Sequence, residues 1–420
     1  MLLKKGLLLR FLLLFLLTLN LFAVDATLTI EKDVEQRTKI AVEDDSPLPN
    51  ERAFKIFLSD LKISGHFLAD DTHRQGDFTT TVIDPALKSR EYLLKFSMSR
   101  AQGTKLSVKL FKTANGTMLF KKSYAIGSSS KMPFLIHKAV YDINAVLKYP
   151  SIDWINRYVV FARYTTPKHS EIALADYTFT YQKTIIRGGL NLFPKWADSH
   201  QRSFYYTSFN GVVPTLYRLN IYSGAKSRVA SSEGMMVCSD VSKDGKKVLL
   251  TMAPNGQPDI YELNLATGEK TRVTRFNGID VGGKYAENEN SVVFVSNRLG
   301  YANIFKKPIH GSAVSQVVYR GHNNNACDAF NNKVVYASRE SSSAFGNNTF
   351  NIYLTSTDDP ASRPLTTTGS NQFPTFSSDG SVVLYLKQLG GRTSAGYINL
   401  YSKQSQLFPV NGNRIQAIDW

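Results

Sequence analysis

The side chains that could perform chemistry are scattered along this chain of 420 residues. The patterns His-Glu-x-x-His, Gly-x-Ser-x-Gly and Cys-x-x-Cys are absent, and no two histidines stand four residues apart, as metal ligands on one helix do. The seven histidines are His66, His73, His137, His169, His200, His310 and His322. His137 falls in a predicted helix, where we expect a packed or capping side chain rather than a ligand. We predict no catalytic site, no metal site and no cofactor.

One segment has the spacing of a phosphate-binding loop. Residues 278–284 read GIDVGGK and fit Gly-x4-Gly-Lys. A working loop continues with Ser or Thr and opens a helix, because the hydroxyl group binds the metal and the helix N-terminus binds the phosphates. Here Tyr285 follows, and the segment lies at a junction between predicted strands. We therefore predict no nucleotide site.

Residues 24–150 mix strand and helix patterns and predict a small α/β N-terminal domain. Residues 27–30 and 38–42 alternate as strands do, and residues 51–61 carry apolar side chains at helical spacing. Three further alternating runs, at residues 91–98, 105–112 and 117–125, predict a meander with a hairpin turn at Asn115-Gly116. Ser130 is expected to cap a second helix. The apolar face of that helix comprises Phe134, Leu135, Ala139, Ile143 and Val146.

Residues 151–420 repeat a pattern of short strands and contain no convincing helix. Similar four-residue segments begin at Glu171, Thr215, Asp259, Asn303, Asn351 and Tyr397, at spacings of 44, 44, 44, 48 and 46 residues. Hydrophobic strands precede them at residues 204–207, 248–251, 292–296, 334–338 and 382–386, after polar turns such as residues 242–245 and 377–380. A period of about 40–45 residues holding four strands is typical of propeller blades. The sequence predicts an all-β six-bladed β-propeller.

The end of the chain is predicted to close this ring. Residues 151–186 lack the opening strand of the other repeats, and residues 415–420 match it. We expect these last residues to pair with residues 158–163, because closure leaves no sheet edge open.

The two cysteines are expected to stay unpaired. Cys238 and Cys327 fall at the start of the innermost strand of the third and fifth repeats. A whole blade would separate them, which is farther than the roughly 7 Å between Cα atoms that a disulfide spans. We predict buried free thiols, even in an oxidising compartment.

The first residues have the parts of a secretory signal. Lys4, Lys5 and Arg10 precede an apolar run at residues 11–19, and Ala23 is the small residue before the predicted cut, with Ala26 as the second choice. A retained membrane anchor is the alternative, but the run is short for the ~20 apolar residues that a span needs. We predict a signal peptide at residues 1–23 and no other segment that crosses a membrane.

The net charge restricts the classes of partner. Cleavage after Ala23 removes three positive charges and lowers the formal net charge from +16 to +13. An exported basic protein meets acidic proteins, wall polymers and lipid head groups. Nucleic acid is not expected, because export removes the opportunity and no Lys/Arg-rich arm or basic helix occurs.

The order of signal peptide, α/β domain and six blades resembles the TolB family, the periplasmic components of the Tol–Pal system of Gram-negative bacteria. The matching motifs are residues 134–139 (FLIHKA), 259–268 (DIYELNLATG) and 373–380 (FPTFSSDG). The resemblance implies a monomeric, non-enzymatic periplasmic adaptor. Such a protein links inner-membrane components to a peptidoglycan-anchored lipoprotein, and so maintains outer-membrane integrity and constriction during cell division.

The resemblance also implies where partners bind. A Pal-like outer-membrane lipoprotein is expected over one mouth of the propeller channel, at loops that open the inner strands. The candidates are Phe193, Met235, Met236, Asp280, Gly282, Asn324, Asn325, Asn371 and Gln372. A TolA-like inner-membrane protein is expected at the mature N-terminus, which can otherwise lie against the domain interface. Its candidates are Val24, Asp25, Ala26, Thr27, Leu28, Thr29 and Ile30, whose alternation suits addition to a partner's sheet.

Three alternatives accompany these expectations. Ordinary turn chemistry also explains the asparagines, since Asn tolerates a left-handed backbone. A peptidase with similar blades would need a hydrolase domain with a nucleophile elbow, and residues 24–150 contain no such motif. A propeller that binds carbohydrate or cell wall suits the basic charge, but it predicts exposed aromatic side chains around the mouth, where only Phe193 is evident.

Overall fold

The structure, a computed structural model, describes residues 37–47, 50–100, 103–340, 349–410 and 415–420. The predicted signal peptide, the predicted strand at residues 27–30 and the N-terminal candidates for a TolA-like partner lie outside the described residues. No helix in the described part is long and apolar enough to cross a membrane.

The first domain is a mixed sheet with two helices. The helices are α1 (Glu51–Ile63) and α2 (Met132–Val146), and the strands are β1 (Thr38–Asp44), β2 (Phe67–Ala69), β3 (Arg74–Gln75), β4 (Tyr92–Ser99), β5 (Thr104–Lys112) and β6 (Thr117–Ile126). The strand order is β2-β1-β4-β5-β6, with β3 also beside β1. β1 runs parallel to β2, β3 and β4, whereas β4, β5 and β6 form the predicted antiparallel meander.

The two helices begin in different ways. The Asn50 side chain caps α1 by accepting a hydrogen bond from the backbone N of Ala53 at 3.1 Å. The prediction that Ser130 caps α2 was wrong: Ser130 lies in a 3-10 turn, and the residue before α2 makes no side-chain capping bond. Pro133 stands in the first turn of α2, where its missing N–H leaves one fewer donor for a cap to satisfy.

Packing against the sheet buries most of the predicted face of α2. Leu135, Ala139 and Ile143 are buried, and Phe134 is half-buried. Val146 was assigned to this face wrongly, since 42% of it is exposed at the end of the helix. β2 and β3 have no counterpart in the sequence prediction, because strands of two or three residues are too short to establish an alternating pattern.

The second domain is the predicted propeller, with six four-stranded blades. In order from the channel outwards, blade one is β30 (Ile415–Asp419), β7 (Val159–Thr166), β8 (His169–Ala175) and β9 (Gln182–Ile186), and blade two is β10 (Asn191–Trp196), β11 (Ser203–Ser208), β12 (Thr215–Asn220) and β13 (Lys226–Ser231). In the same order, blade three is β14 (Met236–Val241), β15 (Lys247–Met252), β16 (Asp259–Asn264) and β17 (Lys270–Arg272), and blade four is β18 (Asp280–Ala286), β19 (Ser291–Ser296), β20 (Asn303–Pro308) and β21 (Ser315–Gln316). Blade five is β22 (His322–Phe330), β23 (Lys333–Arg339), β24 (Phe350–Ser356) and β25 (Arg363–Pro364), and blade six is β26 (Ser370–Phe376), β27 (Val382–Leu389), β28 (Arg392–Asn399) and β29 (Ser405–Pro409). Every residue of β11 and of β19 is buried, because neighbouring blades cover both sides of these second strands.

The last strand closes the ring as predicted. β30 pairs with β7 in antiparallel register, with Ile418 opposite Phe161. Trp420 donates a hydrogen bond from Nε1 to the carbonyl oxygen of Phe376 in blade six at 2.8 Å. Its ring also packs against Trp154, 5.7 Å away between centroids. The C-terminus therefore joins blade one to blade six and to the segment that leads in from the first domain.

The propeller has two ends with different environments. We name the end where the inner strands begin the mouth face; it carries Asn191 of β10 and the hairpins between second and third strands. The opposite end, where the inner strands finish, is the base face. The first domain packs on the base face at blades one and six, where the Asn399 side chain donates hydrogen bonds to the carbonyl oxygens of Ile63 and Ser64, each at 3.2 Å.

Candidate partner-binding surfaces

The structure brings the nine candidates for a lipoprotein partner to the mouth face, but at positions other than the predicted loops. Eight of them belong to the inner strands β10, β14, β18, β22 and β26, and Met235 directly precedes β14. Met236, Asp280, Asn324 and Asn371 are fully buried. Phe193, Gly282, Asn325 and Gln372 are half-buried, and Met235 is 45% exposed. The expectation that all nine lie in loops was wrong, because the inner strands begin earlier than their polar sequences indicate.

The buried asparagines connect neighbouring blades. The Asn371 amide donates a hydrogen bond to Oδ1 of Asn351 at 3.0 Å, which joins blade six to blade five. Asn324 makes the same contact with Asn303 at 2.9 Å and joins blade five to blade four. Buried side chains held in this way act on a partner only through the backbone shape they fix. This geometry favours a structural role for the two asparagines over direct contact with a partner.

Asp280 has a comparable structural contact. Both of its carboxylate oxygens accept hydrogen bonds from the Arg298 guanidinium, at 3.0 and 3.1 Å. The same guanidinium lies over the rings of Phe294 and Phe305, so the pair is held inside blade four. The arrangement fixes the hairpin between the second and third strands of that blade.

A set of exposed apolar side chains at the mouth face escaped the sequence analysis, apart from Met235. We name it the mouth apolar set: Val212, Met235, Ile279, Leu299, Tyr319 and Leu389. Val212 and Leu299 lie in the turns between second and third strands, and Leu389 is the last residue of a second strand, beside such a turn. The other three lie just before inner strands. These six are among nine exposed large hydrophobic side chains in the described propeller, and the remaining three lie elsewhere. Apolar residues at hairpin tips, where polar ones are usual, were the available sequence signal.

A ring of charged side chains lines the channel near the base face. One residue of each inner strand occupies the same register position, and the six positions hold Lys195, Asp240, Lys284, Asp328, Thr375 and Asp419. Opposite charges alternate around the ring except in blade six, where Thr375 stands. Lys195 Nζ lies 2.8 Å from Asp419 and 3.7 Å from Asp240, and Lys284 Nζ lies 3.2 Å from Asp328. We name these six residues the channel ring.

The three carboxylates of the channel ring also bond to the backbone of the following blade. Asp240 accepts from the backbone N of Tyr285 at 2.9 Å, and Asp328 and Asp419 make the equivalent bonds to Phe376 and Trp196, each at 2.8 Å. Burial works against the charged form of Lys195, but the carboxylates of Asp419 and Asp240 outweigh it and raise its pKa. The ring therefore holds blades together in pairs, beside a channel cavity of about 250 Å³.

The domain interface contains a buried histidine between two carboxylates. His137 of α2 lies 2.8 Å from Asp60 of α1 through Nδ1 and 3.2 Å from Asp176 of blade one through Nε2. All three side chains are fully buried, and Tyr177 donates a hydrogen bond to Asp60. Burial works against a charged imidazole, but the charges of Asp60 and Asp176 outweigh it and raise the pKa of His137 to about 9. We name these four residues the interface cluster.

A cleft of about 730 Å³ also lies between the two domains. Its lining includes Tyr149 and Trp154 from the connecting segment and Tyr401 from blade six. Arg37, the first described residue, lies in the same cleft. The described part of the chain therefore begins at the domain interface.

The cysteines and the phosphate-loop pattern have structural positions. Cys238 and Cys327 are buried and unpaired, as predicted. Burial raises the pKa of the Cys327 thiol to about 12 and also raises that of Cys238, which favours the protonated thiol over the reactive thiolate at neutral pH. Residues 280–284 of the phosphate-loop pattern belong to strand β18 and not to a loop that opens a helix, and Lys284 pairs with Asp328. Within the described residues, no group of three or more His, Cys, Asp or Glu side chains has the arrangement of a metal site.

Comparisons with known proteins agree with this architecture. The family model described as "TolB beta propeller domain" matches residues 155–420. The Tol-Pal system protein TolB of Wolinella succinogenes is 43% identical over 410 residues, covering 96% of this chain and 97% of that protein. The Tol-Pal system protein TolB of Helicobacter hepaticus is 38% identical over 418 residues, covering 97% and 99%. The crystal structure of TolB from Acinetobacter baumannii has the same fold, with a TM-score of 0.75, 20% identity and coverage of 91% of this chain and 96% of that chain. The chain therefore belongs to the TolB family.

Proposed function

We propose that this protein is a non-enzymatic periplasmic adaptor of the Tol–Pal system. It binds a Pal-like outer-membrane lipoprotein with the mouth face of the propeller and a TolA-like inner-membrane protein with its mature N-terminus. In this role it maintains outer-membrane integrity and constriction during cell division. The mouth apolar set is the observation that carries the proposal, together with the packing of the first domain on the opposite, base face.

The mouth apolar set has the composition of a protein-binding surface. Large apolar side chains grouped around a rigid rim are typical of docking sites on soluble proteins. The only aromatic side chain in the set is Tyr319, whereas sugar-binding sites rely on stacked aromatic rings. The inner strands and the interblade bonds of Asn324 and Asn371 hold the rim in one shape, which reduces the entropy lost on binding.

The N-terminal part of the proposal starts at the interdomain cleft. Cleavage after Ala23 would leave residues 24–36 ahead of Arg37, and 13 extended residues reach at most ~45 Å. That length is enough either to fold back along the cleft or to extend to a partner. The two states compete for one segment, so a contact that favours the folded-back state would weaken binding to a TolA-like protein.

A binding assay with matched variants tests the mouth site. The mature protein, residues 24–420, is titrated with the soluble domain of the Pal-like lipoprotein of the same organism. The double variant Ile279→Glu, Leu299→Glu should weaken binding about tenfold or more, since central apolar contacts each contribute on the order of 1–2 kcal/mol. As the control, Tyr222→Glu changes an exposed apolar side chain in a base-face turn and should bind as the wild type does.

Each result bears on a separate part of the proposal. Equal binding by both variants would reject the mouth face and keep the adaptor role. Binding of wall glycan without the lipoprotein would reject the adaptor role in favour of a carbohydrate-binding propeller. A protein that lacks residues 24–36 should lose the TolA-like partner and keep the lipoprotein, and loss of both would reject separate sites.

A further inference from the structure

The outer edge of the first domain's sheet is unpaired. β6 is the last strand in the order β2-β1-β4-β5-β6, and no described residue pairs with its outer side. The strand has ten residues and is mostly exposed. A long exposed edge presents a row of free backbone donors and acceptors, which proteins usually shorten, cover or protect.

The charge around this edge has one sign. Residues 92–141, which span β4, β5, β6 and the first ten residues of α2, contain nine Lys or Arg and not one Asp or Glu. Lys105, Lys112 and Lys121 are exposed and form no ion pair with any described residue. Lys122 has a partner in Asp142, at 2.6 Å, but that carboxylate is shared with Lys138 at 2.7 Å. Positive charge therefore exceeds negative charge along the whole edge.

The pairing of β5 with β6 adds to this excess. Lys121 stands directly opposite Lys109. Like charges in this position destabilise a sheet pair, so the arrangement costs stability in the free protein. Lys109 turns to the carbonyl oxygen of Phe78, at 2.5 Å, and Lys121 has no ion-pair partner among the described residues. A carboxylate on the outer side of Lys121 would relieve that repulsion.

We propose that the β6 edge is a second docking site, which receives an acidic, extended segment of a partner protein as an added strand. The backbone of β6 supplies the strand-pairing bonds. Lys121 and Lys122 point to opposite faces of the sheet and select carboxylates on both faces of the incoming strand. Met118 and Leu119, 47% and 37% exposed, add apolar contact at the start of the strand.

Two other occupants are less consistent with these observations. An anionic membrane or wall polymer would use the lysines but not the open backbone edge. The chain's own N-terminal segment starts from Arg37 in the interdomain cleft, next to His66 and thus on the β2 side of the sheet, which is the edge opposite β6. The site is independent of the mouth face and does not rest on the proposed function.

A defined peptide tests the proposal on the mature protein, residues 24–420. The probe is a fluorescent ten-residue peptide of alternating Glu and Thr, with a Lys/Thr peptide as the control, measured by anisotropy at low salt and at 0.15 M salt. We expect saturable binding of the Glu/Thr peptide only, weaker at the higher salt. Amide hydrogen exchange of residues 117–126 should slow in the complex, because an added strand covers the free N–H groups.

Matched variants separate strand addition from general attraction. Lys121→Glu with Lys122→Glu should weaken binding about tenfold, since two attractive pairs become repulsive. Lys183→Glu with Lys270→Glu makes the same charge change on the outer strands of blades one and three and should leave binding unchanged. Equal loss in both variants, binding without slowed exchange at residues 117–126, or no binding would overturn the proposal. Capture of the protein by vesicles containing phosphatidylglycerol, without binding of the peptide, would overturn it in favour of a membrane surface.

Discussion

We expect the interface cluster to make the contact between the two domains sensitive to alkaline pH. The pKa of His137 is about 9 in the folded protein against an ordinary value of 6.5. Since the folded value is the higher one, protonation stabilises the folded protein fully below pH 6.5, and this contribution is lost as the pH rises through about 9. The difference of about 2.5 pKa units corresponds to roughly 3 kcal/mol. Burial and the neighbouring Asp60 raise the pKa of Tyr177 well above its usual value, so Tyr177 stays neutral throughout this range.

Urea unfolding at a series of pH values measures this contribution. Trp154 lies at the interface, 5.7 Å from Tyr177 between ring centroids, so tryptophan fluorescence follows the opening of the domains. Between pH 6.5 and 9.5 the wild type should lose about 3 kcal/mol of unfolding free energy relative to His137→Gln, which can still donate a hydrogen bond but takes up no proton. His66→Gln is the control, because burial lowers the pKa of His66 and moves its titration below this range. If the wild type and His137→Gln follow parallel curves, the argument for a protonated histidine at the interface is refuted.

Three further perturbations test other parts of the structure. Thr375→Lys completes the charge alternation of the channel ring between Asp328 and Asp419. It should raise the unfolding free energy, measured by urea titration, by up to ~1 kcal/mol. A loss of that size would show that the position has no room for the lysine side chain. Deletion of residues 415–420 removes three buried apolar side chains, which contribute roughly 5–9 kcal/mol to the free energy of unfolding, and should leave the protein insoluble. A soluble product with an unchanged melting temperature would contradict the closing role of β30. Cys238 and Cys327 should react with a thiol reagent at neutral pH only after denaturant is added, and rapid labelling of the folded protein would contradict their burial.

Local patterns in the sequence predict most of the secondary structure correctly. The alternation in β4, β5 and β6 and the helical spacing in α1 come from contacts within a few residues, and both predictions are confirmed. The regular spacing of the third strands predicts six blades, because each blade needs the same length of chain. The predictions that failed are the missing strands β2 and β3 and the capping of α2 by Ser130. They have a common cause, because the structure of such short segments depends on neighbours that are distant in the chain.

The predicted site residues illustrate the limit more sharply. Asn324 and Asn371 have a residue type typical of turns, and they lie in the mouth region that the sequence indicates. Their burial depends on Asn303 and Asn351, each about 20 residues away, whose side chains accept the amide hydrogen bonds. Exposure of Leu299 depends likewise on how its hairpin is placed at the rim, and exposure of Ile279 depends on which elements pack beside the start of β18. Sequence alone therefore locates the region and misassigns its surface.

The sequence by itself determined the order of the domains, the number of blades, the closure by the last strand and the absence of a disulfide. These properties follow from repeat length, alternation and chain direction, which a linear pattern records. Only the tertiary structure decided that lysines and aspartates from inner strands alternate around the channel, that His137 lies between Asp60 and Asp176, and that no described strand pairs with the outer side of β6. Each of these depends on side chains from separate elements meeting in space, and their charges and burial are set by distances that no local pattern contains.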